Sequence, residues 1–138
     1  MADDRRVLVI DDDPTGTQTV SGLRIALRPG RDMFDEFFAG PERVLFVLSN
    51  SRALDRAAAA ALVARIAADA RAAAGGHDLD LILRGDSTLR GHVFAETDAV
   101  DPTAPVLFVP AFPPGGRITV DGVHYLSVDG ERVPVGRT

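Results

Sequence analysis

Short apolar runs that lead directly into polar, glycine-containing loops constrain the fold of this chain more than any other feature. Residues 7–10 and 44–48 are too short, and too rich in β-branched and aromatic residues, for helices, so they predict buried strands. Residues 79–83 and 106–110 follow the same pattern and predict two further strands. A shorter apolar stretch at residues 24–27 predicts another, and a proline and a glycine close it.

The segments between these runs predict helices. The alanine-rich stretch at residues 54–74 predicts the longest one, because alanine has the highest helix propensity and larger apolar side chains recur there every three or four residues. Ser51 or Asp55 would cap its start, and Gly75 would end it. Residues 33–39 predict a shorter helix. The apolar face of the long helix consists of Leu62, Ile66, Ala70 and Ala73.

Strands that alternate with helices are typical of an α/β fold. The expected architecture has three layers: a mainly parallel sheet with helices on both faces. The last part of the chain differs, since Asp121 and Gly122 form a pair that favours a tight turn between two short apolar segments. We therefore expect a β-hairpin near the C-terminus, with a second turn at Asp129 and Gly130.

Charge and composition exclude several classes of protein. The net charge is −5 and there is no basic stripe, so a nucleic-acid partner is not expected. No apolar run is long enough to cross a membrane, there is no signal peptide, and cysteine is absent, which together predict a cytoplasmic protein. All 15 basic residues are arginine, so no mechanism that requires a lysine is open to this chain.

Four polar loops follow the predicted strands: DDDPTG, SNSR, RGDSTLRGH and PAFPPGGR. In a parallel sheet the carboxyl ends of the strands meet at one edge, and ligands bind in the crevice outside that edge. We therefore expect all four loops to gather there and to form a binding site.

The three consecutive acids after the first strand admit several interpretations. A two-component receiver domain begins in a similar way, but it needs an aspartate where Arg84 ends the later strand, and it needs a lysine. A phosphatase of the haloacid-dehalogenase type remains an alternative. Asp11, Asp13 and Thr15 match its Asp-x-Asp-x-Thr motif, with Asp11 as the nucleophile and Asp13 as the acid and base. No distal acidic pair for Mg²⁺ accompanies that motif.

A pocket for a hydroxylated acid is the third interpretation. Carboxylates such as Asp12 and Asp13 accept hydrogen bonds from hydroxyl groups, whereas Arg52, Arg84 and Arg90 offer forked donors to a carboxylate or a phosphate. Both signs of charge in one cleft suit a small ligand that carries hydroxyls and one acid group. The chain has no G-x-x-x-x-G-K-[ST] sequence, so it does not bind ATP through a P-loop.

The segments DDDPTGTQTV, VLSNSRAL, RGDSTLRGH and VPAFPPGGRITVDGVHY together resemble the amino-terminal domain of the four-carbon acid sugar kinases, long catalogued as a domain of unknown function. The resemblance implies phosphorylation of threonate, erythronate or 3-oxo-tetronate acids with ATP and Mg²⁺. It also implies two domains, of which residues 1–138 would form part of the amino-terminal, substrate-binding one. The ATP-binding carboxy-terminal domain would be a missing partner. Alone, this chain would be inactive and would hold no cofactor tightly.

The resemblance also implies the site residues. Phosphoryl transfer needs a carboxylate that accepts the proton of the substrate hydroxyl, and we expect Asp12 or Asp86 in that role. We expect Arg84 and Arg90 to clamp the substrate carboxylate. Many relatives carry lysine near Arg84 and asparagine in place of His92, which leaves the exact substrate open. A sugar-acid binding module without catalysis remains an alternative. The implied substrate-binding residues are Asp11, Thr15, Gly16, Ser49, Asn50, Ser51, Arg52, Arg84, Ser87, Thr88, Arg90 and Gly91.

Overall fold

The computed structural model of the protein describes residues 4–19 and 21–138. Its central feature is a parallel sheet in the order β2-β3-β1-β4. The strands are β1 (Arg6–Asp11), β2 (Arg24–Ala26), β3 (Val44–Leu48) and β4 (Leu79–Arg84). Helices flank this sheet, and an antiparallel sheet follows it, so the predicted fold class is confirmed.

The core lies between the sheet and two helices, α1 (Arg31–Ala39) and α2 (Arg56–Ala74). β1 and β3 form the middle of the sheet, and their apolar side chains are the most buried of any strand. Burying a leucine or phenylalanine side chain contributes about 1.5–3 kcal/mol each, so these contacts supply much of the stability. The fully buried large apolar side chains are Leu8, Phe34, Phe37, Leu45, Val47, Val63 and Ile66.

α2 begins two residues later than the sequence predicts. Of the two candidate caps, Asp55 is the N-cap: its carboxylate accepts a hydrogen bond of 2.9 Å from the backbone N–H of Ala58. Ser51 lies one turn earlier, in a separate 3-10 helix at Ser51–Ala53. Gly75 ends α2 with a φ of 60°, a backbone conformation that favours glycine.

The C-terminal residues form an antiparallel sheet in the order β5-β6-β7, made of β5 (Arg117–Val120), β6 (Val123–Val128) and β7 (Glu131–Pro134). Asp121 and Gly122 connect the first pair with φ values of 49° and 77°, as a tight hairpin turn requires. Asp129 and Gly130 repeat this geometry with φ values of 50° and 85°. Both predicted turns are confirmed.

The predicted strand at residues 106–110 is wrong. This segment pairs with no strand, and it is exposed, with Leu107 at 91% and Val109 at 68% relative accessibility. β4 is the last strand on that side of the sheet, and Ile82 on it is 48% exposed. An apolar run indicates that a segment tends to be buried, but it does not show whether a neighbouring strand is available to pair with it. The loop at residues 110–117 therefore does not follow a strand of the parallel sheet.

A third helix, α3 (Val93–Val100), follows the loop after β4 and packs against α2. Arg71 of α2 donates a hydrogen bond of 2.9 Å to the carbonyl of Val100, which fixes the end of α3. Among the described helices, none is both long enough and apolar enough to cross a membrane.

Candidate functional site

The loops after β1, β3 and β4 meet at one edge of the sheet. Their backbones are joined directly: the N–H of Arg52 donates to the carbonyl of Asp12 at 3.2 Å, and the N–H of Asp12 donates to the carbonyl of Arg84 at 3.2 Å. The N–H of Ser49 donates to the carbonyl of Asp11 at 2.9 Å. Three of the four predicted loops therefore converge, as parallel pairing requires.

Asp12 and Arg52 form the central ion pair of this edge. The Arg52 guanidinium binds both carboxylate oxygens of Asp12, with Nε 3.0 Å from Oδ2 and Nη2 2.7 Å from Oδ1. Asp12 is only 4% exposed, and Asp13 lies 3.4 Å from Nη1 of the same arginine. The hydrogen bond with Asp12 raises the pKa of Arg52. A bidentate pair of this kind fixes the orientation of both side chains.

Asp11 lies beneath this pair and is completely buried. Its Oδ1 accepts from Nη1 of Arg84 at 3.2 Å, and its Oδ2 has no hydrogen-bond partner among the described residues. Burial raises the pKa of Asp11, against the lowering effect of the Arg84 charge. A carboxylate enclosed in this way cannot approach a phosphorus atom, which argues against Asp11 as a phosphatase nucleophile.

Gly16 packs against the ion pair of Asp11 and Arg84. A Cβ at position 16 would lie 1.5 Å from Nη1 of Arg84 and 2.3 Å from Oδ2 of Asp11. A larger residue here would force Arg84 and Asp11 to shift, because the backbone of Gly16–Thr19 approaches the two side chains closely.

The loop after β4 is built around Asp86. Its Oδ2 accepts from Nε of Arg90 at 2.6 Å and from the hydroxyl of Thr88. Burial acts to raise the pKa of Asp86, but the hydrogen bonds from Arg90 and Thr88 outweigh it and lower the pKa to about 2. Gly91 brings the loop back to Asp12 with a φ of 101°, and a Cβ there would lie 3.0 Å from Oδ2 of Asp12. Because its pKa is lowered, Asp86 is ionised at neutral pH.

A cavity of about 570 Å³ opens beside these loops. Its lining includes Asp12, Arg84, Gly85 and Asp86. Most of the remaining lining consists of apolar side chains of β4, α3 and residues 104–110, with Glu96, Thr97 and Asp101 among them. The volume falls within the usual range for small-molecule sites, which runs from about 300 to 1,000 Å³. Charged and apolar walls in one cavity suit a small polar ligand with a carbon backbone.

The structure brings most of the predicted site residues to this edge of the sheet. Some of them are buried in the loops, some are exposed, and some line the cavity. Ser49 and Ser51 are buried 3.1 Å apart and support the loop without lining the cavity. Thr15 is exposed and donates to Asp13 rather than to the cavity. Asn50 is also exposed, in the left-handed region with a φ of 54°. Of the predicted residues, Asp12, Arg84 and Asp86 line the cavity itself.

Sequence reasoning missed two buried residues of the site. Glu96 is 7% exposed and lines the cavity from α3. His124 of β6 is 8% exposed; its Nε2 lies 2.7 Å from the carbonyl of Ser87 and its Nδ1 lies 2.9 Å from the Thr119 hydroxyl. Because a carbonyl only accepts, Nε2–H donates to Ser87. His124 thereby ties the antiparallel sheet to the loop that carries Asp86.

This parallel sheet, with charged loops on its carboxyl edge beside a cavity, defines an α/β ligand-binding domain. The chain belongs to the family of sugar-binding N-terminal domains, whose family model matches residues 7–138. No curated protein matches it significantly.

Two solved structures of one Bordetella bronchiseptica protein are similar to this chain. Each is called a domain of unknown function with bound citrate, crystallised as a domain-swapped dimer. The first has a TM-score of 0.73 and 34% sequence identity over 97% of this chain. The second, in another crystal form, has a TM-score of 0.67 and 30% identity over 96% of this chain. The match covers 35% of the first relative and 34% of the second, so this chain spans about a third of their length.

Proposed function

We propose that this domain binds a small hydroxylated carboxylic acid in the cavity beside β4. We propose further that it is the substrate-binding portion of an ATP-dependent four-carbon acid sugar kinase. The observation that carries the proposal is that Asp12, Arg84 and Asp86, from the carboxyl ends of β1 and β4 and the loops that follow, line the same cavity. The family of sugar-binding domains, and the citrate bound by the Bordetella relative, support a ligand that carries both hydroxyl and carboxylate groups.

Arg84 is the residue that best fits a ligand carboxylate. It uses Nη1 for Asp11, whereas a guanidinium has five N–H donors, so further donors remain for a ligand. Its side chain is 36% exposed and it lines the cavity. Arg90 is more exposed and is paired with Asp86, so its role in clamping the carboxylate stays a prediction.

Asp86 fits the role of orienting a ligand hydroxyl better than Asp12 does. Both oxygens of Asp12 are held by Arg52, whereas Asp86 accepts its bonds from Arg90 and Thr88 at Oδ2. A low pKa keeps Asp86 ionised and able to accept a hydrogen bond. Phosphoryl transfer depends more on positioning of the hydroxyl than on a strong base, so a carboxylate of this kind is adequate.

The residues present do not fit an ATP and Mg²⁺ site. Within residues 4–19 and 21–138, no group of three or more His, Asp or Glu side chains is arranged to hold a metal ion. Only arginines supply basic side chains. We therefore assign ATP and Mg²⁺ to the carboxy-terminal domain of a two-domain kinase. The cytoplasmic location of the protein also stays a prediction. A binding module without catalysis is the second candidate, because the cavity and its charged residues would serve binding alone equally well.

Calorimetry tests the binding proposal. Threonate and erythronate should bind, and erythritol, which has the hydroxyls but no carboxylate, should bind at least about 10-fold more weakly because the arginine interaction is lost. Arg84→Gln should remove that preference. Arg65→Gln, an exposed arginine of α2, is the matched control and should keep it. Equal affinity for the acid and for erythritol would contradict the proposal.

A kinase assay separates the two candidates. With ATP, Mg²⁺ and threonate, this chain alone should form no phosphorylated acid. Addition of the corresponding carboxy-terminal domain should restore product formation. Acid binding without product in the reconstituted mixture would favour the binding module instead.

A further inference from the structure

α3 presents one continuous face to the cavity. Val93, Glu96, Thr97 and Val100 all line it, and their spacing of three, one and three residues places them on one side of a helix. Glu96 therefore lies in the middle of the cavity wall, between two valines. It faces the cavity that also contains Asp12, Arg84 and Asp86.

The surroundings of Glu96 are unusual for a carboxylate. Its side chain is 7% exposed, and its Oε1 has no hydrogen-bond partner among the described residues. A buried polar atom without a partner needs an explanation, and a ligand that completes the site is one.

The charged groups around Glu96 come from four segments. Asp12 repels a negative charge on it, whereas His92, at the start of α3, and Arg52 attract one. On the α2 side, Arg71 binds the Val100 carbonyl at the far end of α3. Burial raises the pKa of Glu96, the Ser51 hydrogen bond opposes this, and Asp12 adds to it.

We propose that Glu96 is a ligand-binding residue of this cavity and that it acts as a neutral carboxylic acid, with its O–H and its carbonyl oxygen holding a hydroxyl group of the ligand. This inference rests on the proposed function and specifies the ligand further. The site takes an acid that carries one carboxylate for Arg84 and a hydroxyl for Glu96. A protonated carboxyl can donate as well as accept, which suits a hydroxyl group.

A neutral Glu96 makes ligand affinity depend on pH. The neutral form is present below the raised pKa and is lost as the pH rises through it. Ionisation would then place a second negative charge beside Asp12 and next to an anionic ligand, so affinity falls with rising pH. The ligand itself stays singly charged over this range, because a carboxyl next to a hydroxyl-bearing carbon titrates at about pH 3–4.

Calorimetry with erythronate at about pH 5 and about pH 8 tests this inference. Wild-type protein should bind at least about 10-fold more tightly at the lower pH. Glu96→Gln, which mimics the neutral acid, should bind within about 3-fold of the wild-type low-pH affinity at both pH values. Glu96→Ala should lose at least about 10-fold at low pH. Asp98→Asn, an exposed acid of α3, is the matched control and should behave as wild type.

The outcomes separate the two proposals. If wild-type protein bound the acid and Glu96→Gln kept the wild-type pH dependence, that dependence would not arise from Glu96, and the inference about Glu96 would be wrong while the proposed function stood. If a folded Glu96→Ala variant kept the full wild-type affinity at low pH, the inference about Glu96 would also be wrong. If Glu96→Ala did not fold, the isosteric Glu96→Gln would decide. Absence of binding by wild-type protein at either pH would overturn the proposed function and this inference together.

Discussion

The parallel-sheet region, residues 6–84, and the C-terminal region, residues 104–138, are stabilised in different ways. In the first, central strands and two helices enclose a core in which Phe34 and Val47 have no exposed surface. In the second, all of which the structure describes, His124 is the one buried residue. Tight turns and backbone pairing hold the antiparallel sheet, and His124 joins it to the site. The comparison teaches that the scaffold and the site loop it positions need not depend on the same forces.

The largest expected effect is in the core. Phe34→Ala should lower the free energy of unfolding by about 3–5 kcal/mol, because it removes a fully buried ring from a packed core. Leu107→Ala, at 91% exposure, should change it by less than about 0.5 kcal/mol. Urea unfolding of both variants measures the difference. An equal loss in the two variants would show that the C-terminal region has a core of its own.

The next effect concerns the link between the regions. His124→Ala should cost about 2 kcal/mol, because the Ser87 carbonyl and the Thr119 hydroxyl lose their partner. It should also weaken ligand binding, since Ser87 is next to Asp86. His124→Gln, whose amide can donate and accept, should recover part of both losses. Unchanged affinity in His124→Ala would mean that the two regions are independent.

A smaller effect depends on pH and belongs to the site loop. The pKa of Asp86 falls from 3.8 to about 2 on folding, so its stabilisation is present above pH 3.8 and is lost as the pH falls through about 2. Asp86→Asn should remove about 1–2 kcal/mol at neutral pH and little in strong acid. Urea unfolding across this range measures the difference from wild type, with Asp98→Asn as the control. A constant difference at all pH values would contradict the assignment.

The smallest effect tests the turns of the C-terminal region. Gly122→Ala should cost about 1 kcal/mol, because Gly122 has a φ of 77° and no neighbour that a methyl group would contact. Gly136→Ala adds a methyl group in open space without positive φ and should be nearly neutral. Thermal unfolding compares them. Equal stability of both variants would show that the turn does not limit this region.

Much of the scaffold is predictable from the sequence because its signals are local. β3 matches the prediction residue for residue, and the helix predicted at 54–74 ends where α2 ends. Both segments carry their own burial pattern and turn residues. The strand predicted at residues 106–110 failed because pairing depends on a neighbouring strand, which an apolar run does not reveal.

The candidate site also has features that the sequence predicts and features that it does not. The convergence of the loops after β1, β3 and β4 follows from parallel pairing alone, so it could be predicted. The importance of Glu96 and His124 could not, because their burial arises where α3 meets the Ser51 loop and where β6 meets the loop at Ser87. One signal was available: an acid at position 96 lies between valines at positions 93 and 100 on a single helix face.

The outer side of β4 has a practical consequence for anyone who purifies this domain. In the part of the chain that the structure describes, β4 ends the sheet and Ile82 is half exposed beside the apolar residues 106–110. Unpaired main-chain N–H and C=O groups next to exposed aliphatic surface attract other molecules. Concentrated preparations should therefore self-associate, and static light scattering should rise faster than concentration unless a charged residue is introduced at position 107.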